Sequence, residues 1–172
     1  MARYGCTITV QTGEMPSTQA NFSWVAVTAN FPTAAIDGGA QSIDNNGGNL
    51  RCYTDDTKAT RLSVQVIDFT TGGSPSIVIW GLSASLGVGG TVYIESDTVA
   101  TSQPLPSATY GSEAVWQDYD QVRHLNDLTD STGNHAALTN NGATASTSSK
   151  IGSGSYLFDG TDDMSTVTSI TE

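Results

Sequence analysis

The chain has 172 residues, enough for one good hydrophobic core or for one core and a smaller appendage. Its 17 acids against 6 bases give a formal net charge of -11, so a phosphate backbone would be repelled and nucleic acid is excluded as an expected partner. No apolar run reaches the ~18 to 20 residues of a membrane helix, and Met1 to Cys6 passes straight into alternating Thr and Ile, so neither membrane insertion nor a secretion signal is expected.

The chain opens with Cys6, Ile8 and Val10 alternating with Thr7 and Thr9, which puts one face of a first strand in the core. Further strands are predicted over residues 22–27, 50–53, 62–69, 77–82 and 92–94. The clusters between them, Asp37-Gly38-Gly39, Asn45-Asn46-Gly47-Gly48, Thr71-Gly72-Gly73-Ser74-Pro75 and Gly87-Val88-Gly89-Gly90, supply positive φ or fix a turn. Asp55 and Asp56 read as a hairpin turn before Lys58. Residues 1–105 are thus expected to form an antiparallel β-sandwich.

Pro104 and Pro106 interrupt strand pairing and mark a junction, with residues 106–120 as a connector. A short helix or turn is predicted at 112–117, where Ser112 caps the first turn and Glu113 lies near its positive end. Residues 121–172 are rich in Asp, Asn, Ser and Thr but keep apolar clusters at 122–125, 156–158 and 164–167. Residues 140–150 read as a polar loop or a flat edge strand. The fold class is all-β. Cys6 and Cys52 are too few for a disulfide framework and lack zinc spacing, so two buried thiols are expected.

The search for chemistry gives little. Glu95 and Asp97 are two positions apart and would share a strand face, but their place at a strand end reads as solvated surface. His124 reads as a partly buried structural residue, on the face of Val122 if this segment is a strand, and His135 as an exposed loop residue. No nucleophile motif accompanies either, so no catalytic and no cofactor-binding residue is assigned. Hard cations take oxygen ligands, and Asp127, Asp130, Asn134, Asp159, Asp162 and Asp163 fall close together in sequence. Of these, Asp130, Asn134, Asp159 and Asp162 are the calcium candidates. The same sequences also suit turns in which Asx side chains bond to their own backbone, and that reading is preferred. Trp24, Trp80 and Trp116 are read as core or interface residues. Tyr53, Tyr93, Tyr110 and Tyr119 cannot be assigned to a sugar platform from their number alone.

The segment from Tyr4-Gly5-Cys6-Thr7-Ile8-Thr9-Val10, through Asn21-Phe22 and Gly48-Asn49-Leu50-Arg51-Cys52-Tyr53-Thr54-Asp55, to Gly111-Ser112-Glu113-Ala114-Val115-Trp116 resembles the domain of unknown function 2341 family. It departs from that pattern at Glu95-Ser96-Asp97 and Leu62-Ser63-Val64. Val122-Arg123-His124-Leu125-Asn126, Asp130-Ser131-Thr132-Gly133-Asn134, Lys150-Ile151-Gly152 and residues 156–163 resemble the opening of a laminin G-like, concanavalin A-like jelly roll.

These resemblances imply an incomplete jelly-roll-like segment over residues 121–172 and a setting in phage or bacterial surface proteins. The expected function is a non-enzymatic virion structural protein, a phage head decoration, fibre or tail component. It would be made in the host cytoplasm and exposed on the virion surface. Expected partners are further copies of the chain, other virion proteins and a cell-surface glycan. The alternative is an N-terminal fragment of a bacterial cell-surface adhesin or carbohydrate-binding protein.

Overall fold

The computed structural model describes residues 4–10, 15–149, 154–161 and 163. The chain divides into two compact units, the first ending at Val115 and the second beginning at Trp116. Residues 106–115, which the sequence assigns to a connector, therefore belong to the first unit.

The first unit holds β1 (Gly5–Thr9), β2 (Gln19–Val27), β3 (Leu50–Tyr53), β4 (Arg61–Thr70), β5 (Ser76–Leu86) and β6 (Thr91–Ser96). They form one antiparallel sheet in the order β1-β6-β3-β4-β5-β2. Every strand foreseen from alternation is present: β3 has the expected bounds, β1 is shifted by one residue, and β2, β4, β5 and β6 are longer by two to five residues. β4 belongs to both halves: Arg61 and Leu62 pair with β3, whereas Ser63 onward pairs with β5. A register shift between Val66 and Asp68 irregularises it, and such bulges increase bend and twist. The sheet curls until its two ends approach. Ile8 of β1 and Phe22 and Trp24 of β2 line one cleft of about 410 Å³, although these strands stand at opposite ends of the order.

Strand alternation explains what fills the curl. Leu50 and Cys52, Leu62 and Val64, Ile77 and Ile79, and Val92 and Ile94 all point inward and are buried. Each such side chain contributes roughly 1.5 to 3 kcal/mol relative to exposure. The Trp24 indole lies on Gly81, where a Cβ would stand 2.1 Å from its Cζ2, and its Nε1 donates to Ser83 Oγ at 3.0 Å. Phe31 meets Phe69 edge to face at 5.9 Å. The connection from β2 to β3 contains a single helical turn, α1 (Thr33–Ile36), and a 3-10 turn at Thr28–Asn30, neither of them foreseen, and a 3-10 turn at Asn45–Gly47 within the cluster expected to turn, where Asn46 and Gly47 take φ of 69° and 66°. Ala35, Ile36 and Ile43 from this connection join the core.

Cys6 and Cys52 both face Ile94, from β1 on one side and β3 on the other. Two strand spacings separate them by about 10 Å, beyond the ~7 Å limit for a disulfide. Both thiols are free, Cys52 buried and Cys6 half-buried. Burial pushes the Cys6 thiol up to about 11 and Cys52 higher still.

Residues 97–115 run back over the outside of the same unit. Ser63 Oγ donates to Thr109 O at 3.2 Å and Ser23 Oγ to Val115 O at 3.4 Å, and Val115 is fully buried. The predicted turn at 112–117 is a 3-10 helix, Glu113–Trp116.

In the second unit the described residues form one two-stranded antiparallel sheet, β7 (Thr144–Ser146) with β8 (Ser155–Leu157). β7 lies within the stretch read as a loop or edge strand. Residues 122–125 are not a strand: Leu125 has φ of 58°, a left-handed conformation outside the β region. The Arg123 guanidinium there donates to Leu128 O at 2.7 Å and Ala136 O at 2.8 Å, tying loop to loop instead of strand to strand. The apolar cluster at 164–167 lies outside the described residues.

Candidate functional site

Because inward positions of the β1-β6-β3-β4 layer are apolar, the alternate positions present the chemistry. One outward row runs across four strands as Thr7, Tyr93, Tyr53 and Arg61, and the next as Gly5, Glu95 and Arg51. Gly5 is required here, since a Cβ at that position would stand 1.8 Å from the Tyr93 hydroxyl oxygen. Lys58 arrives from the β3–β4 turn, where Asp55 Oδ1 accepts from Thr57 N at 2.9 Å and Lys58 takes a left-handed φ of 60°. Its Nζ stands 5.8 Å from the Tyr93 ring centroid. Three of the chain's six Lys and Arg residues thus meet on one face of an acidic molecule.

Glu95 is not the solvated strand-end acid that its position suggests. It is 1% exposed, and its Oε2 lies 2.5 Å from Lys58 Nζ. The error has a plain cause: the strand end is covered by the turn carrying Lys58, a contact between residues 37 positions apart in sequence. Asp97 falls just beyond β6, where its Oδ1 accepts from Val99 N at 2.8 Å and its Oδ2 lies 3.9 Å from Arg51 Nε. The two acids are therefore engaged separately, and this arrangement does not present a carboxylate pair to a ligand.

Arg51 is equally structural. It donates to Gly48 O at 3.1 Å, Leu50 O at 2.6 Å and Ser102 O at 2.8 Å, clamping residues 97–103 onto the sheet. Burial, then the charge of Arg61, lowers its pKa, with Asp97 opposing. Gln103 adds donors to Gly47 O at 2.6 Å and Leu50 O at 3.0 Å.

Arg61 differs from its neighbours. Its guanidinium carbon stacks 4.7 Å from the Tyr110 ring centroid, yet among the described residues it has no carboxylate partner and its buried Nε has no acceptor. Tyr110 is 38% exposed. Tyr53, directly opposite Arg61, is half-buried, and burial followed by the charge of Glu95 raises its pKa, so it remains a neutral phenol at physiological pH. Arg61, Tyr53 and Tyr110 thus place one cation between the Tyr110 ring, over which it lies, and its cross-strand neighbour Tyr53. This grouping was not read from the sequence; alternation in Arg51-Cys52-Tyr53 put two of the polar residues on one outward face, but only strand order joins them to Arg61 and Tyr110.

The residues singled out in the second unit lie in turns. Asp130 accepts at Oδ1 from Val122 N at 3.0 Å and Thr132 N at 3.3 Å, and at Oδ2 from Thr132 Oγ1 at 2.5 Å and His135 N at 3.0 Å. Burial alone would raise its pKa, but the bonds from Thr132, Val122 and His135 outweigh that and hold it low. Asn134 donates to Asp120 O at 3.3 Å, and Asp159 accepts from Thr161 N at 2.8 Å in an Asx turn. Asp127 likewise accepts from Thr129 N at 2.9 Å, and Asp163 from Gly160 N at 2.7 Å. Asp162 lies outside the described residues. Among the described residues no three His, Cys, Asp or Glu are grouped so that they could share a metal ion.

His124 packs 5.3 Å from the Trp116 ring, and burial lowers its pKa. His135 is less exposed than a free loop residue, its side chain 13% accessible and its Nε2 3.3 Å from Asp120 Oδ2. Trp24 and Trp116 are buried; Trp80 is half-buried, opposite the exposed Val25. Tyr119 belongs to the second unit and packs on Trp116 at 5.6 Å. Comparison with protein families, with curated proteins and with solved structures gives no match.

Proposed function

We propose that this chain is a non-enzymatic structural protein of a particle surface, a phage head decoration, fibre or tail component that acts by assembling with copies of itself and with other virion proteins. The observation that carries this reading is the character of the sheet's two edges. β1 and β2 terminate the strand order, and neither Gly5–Thr9 nor Gln19–Val27 contains a charged residue or a proline. Strand edges that must stay single are guarded by charge, proline or cover, because their unpaired N–H and C=O groups template another chain. In a molecule of net charge -11, edges free of charge are the places where subunits can meet without like charges opposed. The resemblance to the domain of unknown function 2341 family and to a jelly-roll opening points to the same setting. Calcium is not required by this reading, since Asp130 already accepts four hydrogen bonds.

The test is the mass of the purified chain by light scattering at micromolar concentration, together with immunogold labelling of particles from the producing host. Oligomers and labelled particles are expected. A strict monomer that labels no particle would sink the proposal. The second reading, part of a bacterial cell-surface adhesin, draws on the tyrosine and arginine face of the first unit, and surface labelling of intact bacteria would favour it.

A further inference from the structure

We infer that Arg61, with Tyr110 and Tyr53, forms a binding site for a carboxylate carried on a sugar ring. It extends the attachment side of the proposed function and rests on that reading only for its biological setting. The first support is electrostatic. In a chain with 17 acids, Arg51 and Lys58 each have a carboxylate within 4 Å, whereas Arg61 has none among the described residues. An arginine held in place without an acid is a site that lacks one.

The second support is preorganisation. The guanidinium lies on the Tyr110 ring at 4.7 Å, and the loop bearing Tyr110 is itself fixed. Ser63 Oγ holds Thr109 O, Ala108 N donates to Leu105 O at 2.9 Å and Gly111 N to Ala108 O at 2.8 Å. Gly111 fits so tightly that a Cβ would stand 2.1 Å from Leu105 O. With the guanidinium carbon over the ring and Nε buried, the terminal Nη1 and Nη2 groups are the donors left, and that pair matches a carboxylate in two parallel bonds. Little rotamer freedom remains to be lost when the anion arrives.

The third support is the shape of the ligand that the neighbours suit. Tyr110 and Tyr53 flank the cation, and an aromatic face accepts the apolar face of a pyranose. The Tyr53 hydroxyl has no protein hydrogen bond among the described residues, so it can serve a sugar hydroxyl. A polyphosphate or nucleic acid would meet the repulsion of the whole molecule, whereas a single carboxylate meets Arg61, which among the described residues lacks the carboxylate partner that Arg51 and Lys58 have.

The experiment uses the full chain, with methyl galacturonide and a sialylated trisaccharide as probes and their neutral counterparts as controls, read by calorimetry and by amide chemical-shift mapping. Saturable binding of at least one acidic probe is expected, with shifts at residues 53, 61 and 110, and the neutral counterpart weaker by about tenfold or more. Arg61→Gln should weaken binding by a similar factor and Tyr110→Ala by several-fold. Arg123→Gln, in the second unit, should leave it unchanged. Circular dichroism of each variant separates lost binding from lost folding. Equal affinity for neutral sugars, shifts confined to other residues, an unaffected Arg61→Gln or no saturable binding of either acidic probe would each overturn the inference. A chain that assembles into particles without binding refutes this site alone; one that binds but is absent from particles refutes the particle location alone.

Discussion

Replacing Gly81 by Ala tests whether the contact between Trp24 and β5 organises the core. The added Cβ would stand 2.1 Å from Trp24 Cζ2 and 2.6 Å from Cε2, against 3.4 Å for the onset of ordinary contact, so the indole must retreat by more than an ångström. Trp24 is 8% exposed, and its Nε1 is tied to Ser83 Oγ at 3.0 Å, so the ring cannot move without straining that bond. Overpacking of this kind costs about 1 to 3 kcal/mol, and a buried donor deprived of its acceptor adds about 1 to 3. Removing a glycine from a strand returns about 0.4 to 1 kcal/mol through the unfolded chain. A net destabilisation of about 1 to 5 kcal/mol is expected. Urea unfolding followed by tryptophan fluorescence measures it, and the same substitution in a Trp24→Phe background should cost much less. If Gly81→Ala in the native background lies within about 0.5 kcal/mol of the parent, the packing argument is wrong.

The Lys58–Glu95 pair should be asymmetric: Lys58→Met leaves a carboxylate that is 1% exposed beside an apolar neighbour and should cost about 2 to 4 kcal/mol, whereas Glu95→Gln leaves an ammonium whose side chain is 31% exposed and can turn to water, costing about 1 to 2. Denaturant midpoints check that order, and a reversed order refutes it. Asp130 has a folded pKa below its unfolded value of about 3.9, so its contribution is fully present above that pH and is lost as pH falls through the folded value. Asp130→Asn should destabilise the second unit by about 1 to 2 kcal/mol at pH 7 and flatten the acid limb of its stability curve; an unchanged limb would count against the turn role. Because burial raises both thiols, iodoacetamide at pH 8 should label Cys6 and Cys52 slowly in the native protein and quickly in urea, as intact mass will show. Rapid native labelling of Cys52 would contradict its burial.

The strands of the first unit were legible because each carries its own alternation: Cys6, Ile8 and Val10, or Leu62 and Val64, identify an inward face without reference to any partner. Turn chemistry was equally local, as the Asx turn at Asp55 shows. Strand order was not legible. Nothing near Glu95 announces Lys58, and nothing near Arg61 announces Tyr110, so a buried acid was read as solvated and a cluster of tyrosines as scattered. The 3-10 turn at Thr28–Asn30 and the α turn at Thr33–Ile36 escaped for a different reason, being too short to show a helical period. In the second unit, local signals again sufficed for the Asx turns of Asp130 and Asp159. Residues 122–125, an apolar cluster that could have been a strand, form none, because the Val122 amide and carbonyl bond to Asp130 and Ser131 in a neighbouring loop and not to a sheet.

The order of the strands also dictates the order of events as the chain leaves the ribosome. β1 is made well before its partner β6, so Gly5 must wait for Glu95. β2 likewise pairs with β5, tens of residues downstream, whereas β4 and β5 form a local hairpin. Contacts this distant in sequence fold slowly, because the intervening chain must be ordered first. The β4–β5 hairpin is therefore the natural seed, and β1 closes the sheet after β6 is in place. Until then β6 presents an uncovered edge, and crowded nascent copies have their best opportunity to exchange β1.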